Sequence, residues 1–354
     1  MTRLSPLPLP PLPGRPLVSV LVSCYNYGAF VGDAVRSALA QTHGPVEVVV
    51  VDDGSTDGSG DVVERQFGGD ARVRLVRQEN AGQAAAMNVA LDAARGDVLC
   101  FLDADDVFTP DKCARTVRAL QDRPDAGFLV HGFTVVDGRG RVLATRTRLP
   151  EPGWHGEAVL QRGGGIPAAP PTSALVLRRP VAEALFPIDP AWRIATDTVL
   201  QRTAPLLTAI AVVPEPLMRY RVHGANHFGE VDGSVAGIER MIRVTEAAHD
   251  HQRAFLRDRF GSEVADRLAP LHDDPSWLWL RAQRDYLDGS PAAFRTAVRQ
   301  LAAHPGSAQG RDGALARFAA AAPTRLGRAA WGAVHGSGLH KRVLRAVRSA
   351  SSKP

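Results

Sequence analysis

The fold of this chain is decided by ten residues, DVLCFLDADD, at Asp97–Asp106. Five consecutive apolar residues, a run typical of a strand buried on both faces of a sheet, are followed by Asp103, Asp105 and Asp106. In an extended backbone Asp103 and Asp105 point the same way, because successive side chains alternate. Like charges at one point repel each other, and a hard divalent cation with oxygen ligands relieves that repulsion. The stretch therefore predicts a buried strand that ends in a metal site.

A structural alternative is that Asp105 and Asp106 only precede the start of a helix. The segment Thr109-Pro110-Asp111 already offers that helix an N-cap, a first-turn proline and a first-turn acid. The two upstream acids are therefore not needed for capping, and this favours the metal site.

Short strand and helix patterns alternate before this stretch. Strands are predicted at residues 17–23, 46–51 and 72–76, and helices at 29–41, 61–67 and 82–95. Such alternation is typical of a doubly wound sheet with parallel strands, and ligands of such sheets bind outside the carboxyl ends of the strands. Three of these ends carry unusual polar groups, namely Tyr25-Asn26, Asp52-Asp53 and Asp103-Asp105. Together we expect them to hold a base, a ribose and a metal-bound diphosphate, although exposed loops are polar in any case.

The sequence lacks two common phosphate-binding motifs. Neither G-x-G-x-x-G after the first strand nor G-x-x-x-x-G-K-[ST] occurs in it. The charge of a phosphate must then be met in another way, which again favours a metal ion.

The size and composition are those of a soluble globular protein with room for two domains: 354 residues, 45% hydrophobic and 22% charged. No window approaches eighteen uninterrupted apolar residues, so no spanning helix is expected. The Leu/Pro-rich residues 1–16 lack the continuous apolar region of a secretion signal and are expected to be a disordered lead-in. Cys24, Cys100 and Cys113 have no paired spacing, which is typical of reduced thiols in a cytoplasmic protein.

The net charge of +5 is unevenly distributed. From Arg311 onward nine Lys or Arg residues stand against one Asp. The excess of basic residues thus belongs to this tail and not to the predicted catalytic region, so nucleic acid is not an expected partner. Residues 339–348 form a candidate basic amphipathic helix. It is expected either to make peripheral contact with an anionic membrane or to close the fold as a solvated helix.

Seven blocks of the sequence resemble the family 2 glycosyltransferases in order and spacing. They are Val18–Tyr25, Val51–Asp57, Glu79–Gln83, Phe101–Asp106, Pro171–Ser173, Ala195–Asp197 and Tyr220–His227. The resemblance implies a GT-A-type α/β fold, in which a mixed, mostly parallel nucleotide-binding sheet is flanked by helices and followed by a C-terminal helical region. Helical periodicity follows at 235–260, 276–287 and 292–303. The resemblance and this periodicity together divide the chain into four parts. They are a lead-in (1–16), a catalytic domain (17–232), a helical region (233–304) and a linker with basic helices (305–354).

The resemblance also implies roles for single residues in the donor site. Asp52 and Asp53 would contact the nucleotide base, and Asp103 the ribose. Asp105 would bind Mg²⁺ or Mn²⁺. Tyr25, Asn26 and Gly82 are the further nucleotide-binding candidates.

The implied catalytic base is Asp197, although the residues alone are equally consistent with an ordinary first-turn acid of a helix. His223 is a second candidate ligand of the metal or diphosphate, with Arg221 nearby in the chain. Its i, i+4 spacing to His227 is not taken as a zinc pair, because Gly224 and the preceding strand pattern argue against a helix there.

Two positions depart from the family pattern. Met87 stands where the family often has Arg, so a cationic contact near the nucleotide is missing, and Thr196 replaces the usual Glu. Pro170–Ser173 and Trp154-His155 are candidates for the border of an acceptor pocket, although a lone Trp more commonly covers the edge of a core.

The expected activity is that of an inverting, metal-dependent glycosyltransferase at the inner face of the membrane or in the cytoplasm. The donor would be a UDP-, GDP- or dTDP-sugar, and the acceptor a glycan or lipid-linked hydroxyl in cell-envelope or other glycan synthesis. One alternative is an inactive sugar-nucleotide-binding protein. The other is a sugar-phosphate nucleotidyltransferase, which would normally have a Gly-rich, basic loop after the first strand.

Overall fold

The computed structural model describes residues 4–166, 170–223, 234–303, 310–322 and 324–332. They belong to two compact units. The first unit, here the sheet unit, comprises Ser5–Gly156 with Ile166–Arg221. The second, the helical unit, comprises Leu4, Glu157–Gly165 and the described residues from Val222 onward. The limits predicted for the catalytic domain (17–232) and for the helical region (233–304) remain predictions.

Within the described residues, ten strands form one mixed sheet. They are β1 (Val18–Cys24), β2 (Val46–Asp53), β3 (Val73–Gln78), β4 (Val98–Asp103), β5 (Val107–Phe108), β6 (Ala126–Asp137), β7 (Val142–Arg146), β8 (Gly153–Trp154), β9 (Leu175–Arg178) and β10 (Ala209–Val222). The α-helices that precede residue 208 are α1 (Val31–Leu39), α2 (Ser59–Phe67), α3 (Gln83–Ala93), α4 (Lys112–Asp122), α5 (Gly156–Arg162), α6 (Arg179–Leu185) and α7 (Thr196–Leu207). Those that follow are α8 (Val235–Phe260), α9 (Ser262–Ala265), α10 (Pro275–Leu287), α11 (Pro291–Ala303), α12 (Gly310–Ala321) and α13 (Thr324–Trp331).

The sheet is parallel in one half and antiparallel in the other. Its order is β3-β2-β1-β4-β9-β6-β10-β5, with β7 added beside β6 and β8 beside β10. The first four strands are parallel, whereas β9 runs antiparallel to β4 and β6, and β5 and β8 run antiparallel to β10. The predicted mixed sheet with flanking helices and a helical region after it is confirmed.

The parallel strands are buried as their continuous apolar runs predict. Val48–Val51 and Leu99–Leu102 are each at most 1% exposed, because helices cover both faces of a parallel sheet. In the pairing register, Cys24 lies opposite Asp52, and Ser23 lies opposite Asp103. The acidic ends of β2 and β4 therefore flank the end of β1 at the same edge.

The lead-in differs from the expectation of disorder. Residues 5–16 form no helix or strand, but they lie against the rest of the sheet unit. The Leu7 N–H donates to the Leu207 carbonyl at 2.6 Å, and the Arg178 guanidinium donates to the Pro10 carbonyl. A Pro-rich extended chain leaves its carbonyls without internal partners, so donors from neighbouring elements can hold it in place.

The start of α4 also differs from the prediction. The helix begins at Lys112 after Asp111, and Thr109 is not its N-cap. The Thr109 hydroxyl instead donates to Asp111 Oδ1 at 2.7 Å, while its carbonyl accepts from the Lys112 N–H at 3.2 Å. The hydroxyl is thus engaged before the first helical turn.

The helical unit is built on capped, amphipathic helices. Ser234 caps α8 by accepting from the Gly237 N–H at 3.0 Å, and Asp274 caps α10 by accepting from the Ser276 N–H at 2.8 Å. Helices α10 to α13 share a core that includes Phe294 and the fully buried Trp331. The predicted helices at 235–260, 276–287 and 292–303 are therefore present. The predicted basic helix at 339–348 lies outside the described residues.

None of the described helices combines the length and apolar character needed to cross a bilayer. Cys24, Cys100 and Cys113 are buried free thiols, in agreement with the sequence-based expectation.

Candidate active site

The loop after β1 and the turn after β2 are held together by hydrogen bonds. Asn26 adopts the left-handed conformation (φ 59°), and its side-chain oxygen accepts from the Thr56 N–H at 2.8 Å. The Asn26 N–H donates to Ser55 Oγ at 2.9 Å. Asp52 is buried and accepts from the Ser55 N–H at 3.0 Å, and Tyr25 is half-buried beside Asn26. These residues form one rigid rim, and their nucleotide contacts remain a prediction.

The Asp53 carboxylate is enclosed by donors of the segment that follows β3. It accepts at 2.7–3.2 Å from four donors, namely Gln78 Nε2, Asn80 Nδ2, Ala81 N and Gly82 N. Its side chain is 4% exposed. Charge-assisted bonds of this kind are strong, so Asp53 fixes the shape of the 78–82 segment in this structure. The predicted contact with a base remains a prediction.

Gly82 allows a close approach between two backbone segments. Its φ is +95°, and an added Cβ would lie 2.6 Å from Arg193 Cα. The next N–H, of Gln83, donates to the Arg193 carbonyl at 2.9 Å. The start of α3 is therefore joined to the loop that leads into α7.

Three carboxylates predicted from the sequence share one environment. Burial and the neighbouring charges of Asp105 and Asp197 raise the pKa of Asp103 to about 8. Asp103 is partly buried and Asp105 is 6% exposed. The fold thus brings the acids after β4 and the acid at the start of α7 near enough for their charges to repel each other.

Ser173 and Asp106 hold the backbone that carries these acids. The Ser173 hydroxyl accepts from the Asp103 N–H at 2.9 Å and donates to Asp106 Oδ2 at 2.6 Å. Asp106 Oδ1 accepts from the Arg221 N–H at 2.9 Å, and the Arg221 side chain donates to the Asp105 carbonyl at 2.9 Å. Asp106 is therefore a member of a buried network and does not cap a helix.

This network extends to a buried cation. Lys112 is fully buried, and its ammonium donates to the Ser173 carbonyl at 2.7 Å and lies 3.6 Å from the Phe108 ring centroid. Burial lowers the pKa of Lys112 to about 8. Burial and the Asp105 carboxylate raise the pKa of Asp106 well above its usual range.

Asp197 lies in the first turn of α7 but does not cap it. The residue before the helix is Ala195 (φ 60°), and no side chain makes a capping hydrogen bond there. Asp197 Oδ1 accepts from the Thr198 N–H at 2.9 Å. Burial raises the pKa of Asp197 to about 6. A carboxylate with this pKa is mostly ionised at neutral pH and can still accept a proton.

Gln83 links the two halves of this cluster and was not anticipated from the sequence. Its side-chain amide donates to the Asp103 carboxylate, and its side-chain carbonyl accepts from the Thr196 N–H at 3.1 Å. Its sequence signals are its place after Gly82 at the start of a predicted helix and its membership of the Glu79–Gln83 block, and neither identifies what it contacts. Its partners are far away in the chain.

Two further residues lie near the acids, Thr172, which the sequence suggests for the border of an acceptor pocket, and Tyr220, for which the sequence analysis proposes no role. The Thr172 hydroxyl donates to Asp103. Burial and facing carboxylates raise the pKa of the Tyr220 phenol, and these carboxylates belong to Asp106, Asp103, Asp105 and Asp197. The sequence suggests Thr172 and Ser173 for the border of an acceptor pocket, and in the structure both hydrogen-bond to the acidic segment.

Trp154, the other acceptor candidate, packs against the core of the sheet unit, and its Nε1 donates to the Leu206 carbonyl at 3.5 Å. This arrangement agrees with the alternative that it covers the edge of a core.

Met87 and Thr196, the two residues that differ from the family pattern, are buried. Met87 is 3% exposed and Thr196 is fully buried. The neighbouring Asn88 makes two hydrogen bonds with the Ile188 backbone, at 2.7 and 2.9 Å. An apolar side chain therefore occupies position 87 inside the protein.

The carboxylates of Asp103, Asp105 and Asp197 are chemically suited to Mg²⁺ or Mn²⁺, because these ions prefer oxygen ligands. A bound cation would also reduce the repulsion between the three negative charges. Among the residues that the structure describes, no group of three or more His, Cys, Asp and Glu side chains has the arrangement of a metal site. His223 directly precedes the undescribed residues 224–233, and His227 lies within them. Metal binding by Asp105 and His223 remains a prediction.

Sequence comparisons relate this chain to a family of glycosyltransferases. The sequence model of glycosyl transferase family 2 matches residues 19–185. The uncharacterized glycosyltransferase alr2836 of Nostoc sp. is 39% identical over 213 residues, which are 59% of this chain and 66% of that protein. The putative teichuronic acid biosynthesis glycosyltransferase TuaG of Bacillus subtilis is 36% identical over 138 residues, 39% of this chain and 54% of that protein. The chain thus spans less than two thirds of the length of either relative.

Two solved structures share the fold. The mannosyltransferase PcManGT from Pyrobaculum calidifontis, in complex with GDP-Man and Mn²⁺, aligns with a TM-score of 0.53 at 20% identity, over 98% of this chain and 88% of that one. S. aureus TarS 1–349, in complex with UDP-GlcNAc, aligns with a TM-score of 0.50 at 16% identity, over 90% of each chain. At these identities the likeness concerns the fold alone.

Proposed function

Since this chain belongs to glycosyl transferase family 2, we propose that it transfers a sugar from a nucleoside diphosphate sugar to an acceptor hydroxyl, with inversion at the anomeric carbon. The acceptor is a glycan or lipid-linked hydroxyl of cell-envelope or related glycan synthesis. The observation that carries the proposal is the convergence of three carboxylates from two separate segments, Asp103 and Asp105 after β4 and Asp197 at the start of α7.

Asp197 is the proposed catalytic base. It accepts the proton of the acceptor hydroxyl while that oxygen bonds to the anomeric carbon and the bond from this carbon to the diphosphate breaks. General base catalysis of this kind typically contributes ~10²–10⁴-fold in rate. A single displacement needs no nucleophile from the protein. A pKa of about 6 suits this task, because the carboxylate is mostly ionised at pH 7.

Asp105 is the proposed ligand of Mg²⁺ or Mn²⁺, with His223 as a further ligand, and Asp103 faces the ribose. A bound ion supplies Lewis-acid stabilisation of the leaving diphosphate. The chain's own contribution is to hold these acids in place. The Ser173 hydroxyl accepts from the Asp103 N–H and donates to the Asp106 carboxylate, and these hydrogen bonds preserve the spacing of the acids before any ligand arrives.

The nucleotide is proposed to lie on the rim at Tyr25, Asn26 and Asp52 and to contact Gly82 of the 78–82 segment. Asp53 supports that segment, because its carboxylate accepts four hydrogen bonds from it. Met87 brings no positive charge toward the diphosphate, so the metal ion neutralises more of the negative charge of the diphosphate.

The test is a donor panel of UDP-, GDP- and dTDP-sugars, each with Mn²⁺ and with EDTA. A bound donor raises the melting temperature by mass action, and transfer releases the nucleoside diphosphate in the presence of an acceptor. We expect at least one donor to stabilise the protein only with Mn²⁺. Asp105→Asn should remove this effect, whereas Asp122→Asn, on the exposed surface of α4, should retain it.

The same panel separates the alternatives. Stabilisation by a donor without release of nucleoside diphosphate, across a broad set of acceptors, would indicate an inactive binding protein. Formation of pyrophosphate from a nucleoside triphosphate and a sugar phosphate would indicate a nucleotidyltransferase. A folded protein that responds to no sugar nucleotide with or without Mn²⁺ would refute the proposal.

A further inference from the structure

The helical unit contains a cavity of about 690 Å³ between α11 and α13. Six described residues line it, and they are Pro291, Ala292, Arg295, Thr324, Arg325 and Arg328. Three of the six are arginines and none is acidic. We call this cavity the arginine pocket. Its volume falls in the range of roughly 300–1,000 Å³ that is typical of small-molecule sites.

The backbone brings the three guanidinium groups to one place. Arg295 comes from α11, and its Nη1 donates to Thr324 Oγ1 at 3.2 Å, at the first residue of α13. Arg325 and Arg328 are three positions apart on α13 and therefore share a face of that helix. The pocket is thus positive on both sides.

Part of the hydrogen-bonding capacity of these arginines is unused. Arg328 donates through Nη2 to the Tyr286 carbonyl at 2.9 Å and lies over the Tyr286 and Phe294 rings. Its Nη1 and the Nε of Arg295 are buried atoms without a hydrogen-bond partner. Buried donors without an acceptor are unfavourable. Since these two atoms are closed to solvent, a ligand in the pocket meets the other guanidinium N–H groups of the three arginines.

The charge of these arginines is not balanced locally. Within the described part of the chain, no ion pair joins Arg295, Arg325 or Arg328 to a carboxylate. In addition, α11 and α13 both begin at the pocket, and the amino end of a helix carries a partial positive charge. Three guanidinium groups and the amino ends of two helices thus surround one cavity. An anion with several acceptor oxygens would balance this positive charge.

We propose that the arginine pocket binds a phosphate-bearing ligand. A phosphate group offers several charged oxygens, which match the planar fork of guanidinium donors. A single carboxylate would leave most of the positive charge unpaired. The phosphate can belong to a soluble molecule or to a lipid headgroup, and the two sources share the chemistry that the pocket recognises. This assignment does not depend on the proposed sugar transfer.

The first test is calorimetric titration of the full chain with pyrophosphate in EDTA. Arg325→Glu reverses one charge at an exposed lining residue, and Arg299→Glu makes the same change at an exposed residue of α11 that does not line the pocket. We expect Arg325→Glu to weaken pyrophosphate binding at least tenfold and Arg299→Glu to weaken it less than twofold. Equal melting temperatures show that both variants are folded.

The second test identifies the source of the phosphate by flotation with vesicles of phosphatidylglycerol or of phosphatidylcholine. Flotation with phosphatidylglycerol alone, lost in Arg325→Glu and retained in Arg299→Glu, supports a lipid headgroup. Pyrophosphate binding without flotation supports a soluble ligand. If neither probe binds, or if the two variants behave alike toward both probes, the arginine pocket is not a phosphate site.

Discussion

The side-chain carbonyl of Gln83 accepts a hydrogen bond from the Thr196 N–H at 3.1 Å, across 113 positions of the chain. The amide of the same side chain donates to the Asp103 carboxylate. One side chain therefore sets the position of the first turn of α7, which carries Asp197, relative to the acids after β4. In the proposed reaction, Asp197 acts on the acceptor, whereas the acids after β4 act on the donor.

Replacement of Gln83 by Leu, which keeps the size but removes both hydrogen bonds, should separate binding from transfer. We expect kcat for transfer to fall by at least about tenfold, because misplacement of a catalytic group by a fraction of an ångström is costly. Donor affinity in the presence of Mn²⁺ should change less than threefold. Gln121→Leu, at an exposed position of α4, is the matched control. A kcat within twofold of wild type would show that Gln83 has no positioning role.

Asp197→Asn should preserve the fold and abolish transfer. The Asn side-chain oxygen can still accept from the Thr198 N–H, and kcat should fall by ~10²–10⁴. Because burial raises the pKa of Asp197 in the folded state, the ionised form is penalised there above pH 6. The variant should therefore melt at the same or a higher temperature at pH 8. A clear loss of stability at pH 8 would instead indicate a structural role at the start of α7.

The same pKa predicts how activity depends on pH. The base must be ionised, so kcat/KM at saturating Mn²⁺ should be constant near neutral pH and should fall below about pH 6. The decline should approach about tenfold per pH unit, as for a single protonation. A profile that remains flat down to pH 4.5, measured where the protein is still folded, would exclude Asp197 as the base.

Asp53→Asn tests whether this acid is structural. The amide group of Asn would face N–H donors of the 78–82 segment, so the free energy of unfolding should fall by roughly 1–3 kcal/mol. Asp61→Asn, at an exposed carboxylate, should change it by less than about 0.5 kcal/mol. Unchanged stability of Asp53→Asn, combined with weaker donor binding, would point to a direct contact with the nucleotide base.

Gly82→Ala should damage the junction between α3 and the loop before α7. The added methyl would lie 2.6 Å from Arg193 Cα at a φ that disfavours side chains, so we expect a loss of roughly 1–3 kcal/mol in unfolding free energy. Gly69→Ala, where nothing lies within 4 Å, should be nearly neutral. Denaturant titration of both variants measures the difference. Equal stabilities would mean that the two segments can move apart without cost.

Much of the regular structure could be predicted because local patterns specify it. The strand predicted after Asp97 is β4, and the helix predicted at 235–260 is α8. Strands β5 to β9 had no matching prediction. Strands β5, β8 and β9 have only two to four residues and β7 is partly exposed, so their pairing depends on neighbouring strands more than on an apolar run. Strand β6 is long and mostly buried, but Gly127, His131 and Gly132 interrupt its apolar residues. The packing of residues 5–16 was missed for a similar reason, since its hydrogen bonds come from other elements.

The candidate site was only half visible in the sequence. Asp103, Asp105 and Asp197 could be named because acids at strand ends and a family resemblance mark them. Gln83 and Ser173 lie in blocks that resemble the family, but no local pattern shows that they hydrogen-bond to the acidic segment. The Ser173 hydroxyl reaches Asp106 across 67 positions.

The sequence alone thus determined the first four strands and the helices between them, the burial of these parallel strands and the acids at their ends, because apolar periodicity and chain breaks act over a few residues. Only the tertiary structure decided which polar groups meet, as Gln83 does with Asp103 and Thr196, and that three arginines of the helical unit surround one cavity. Contacts of this kind join residues that are distant in the chain, and no local propensity encodes them.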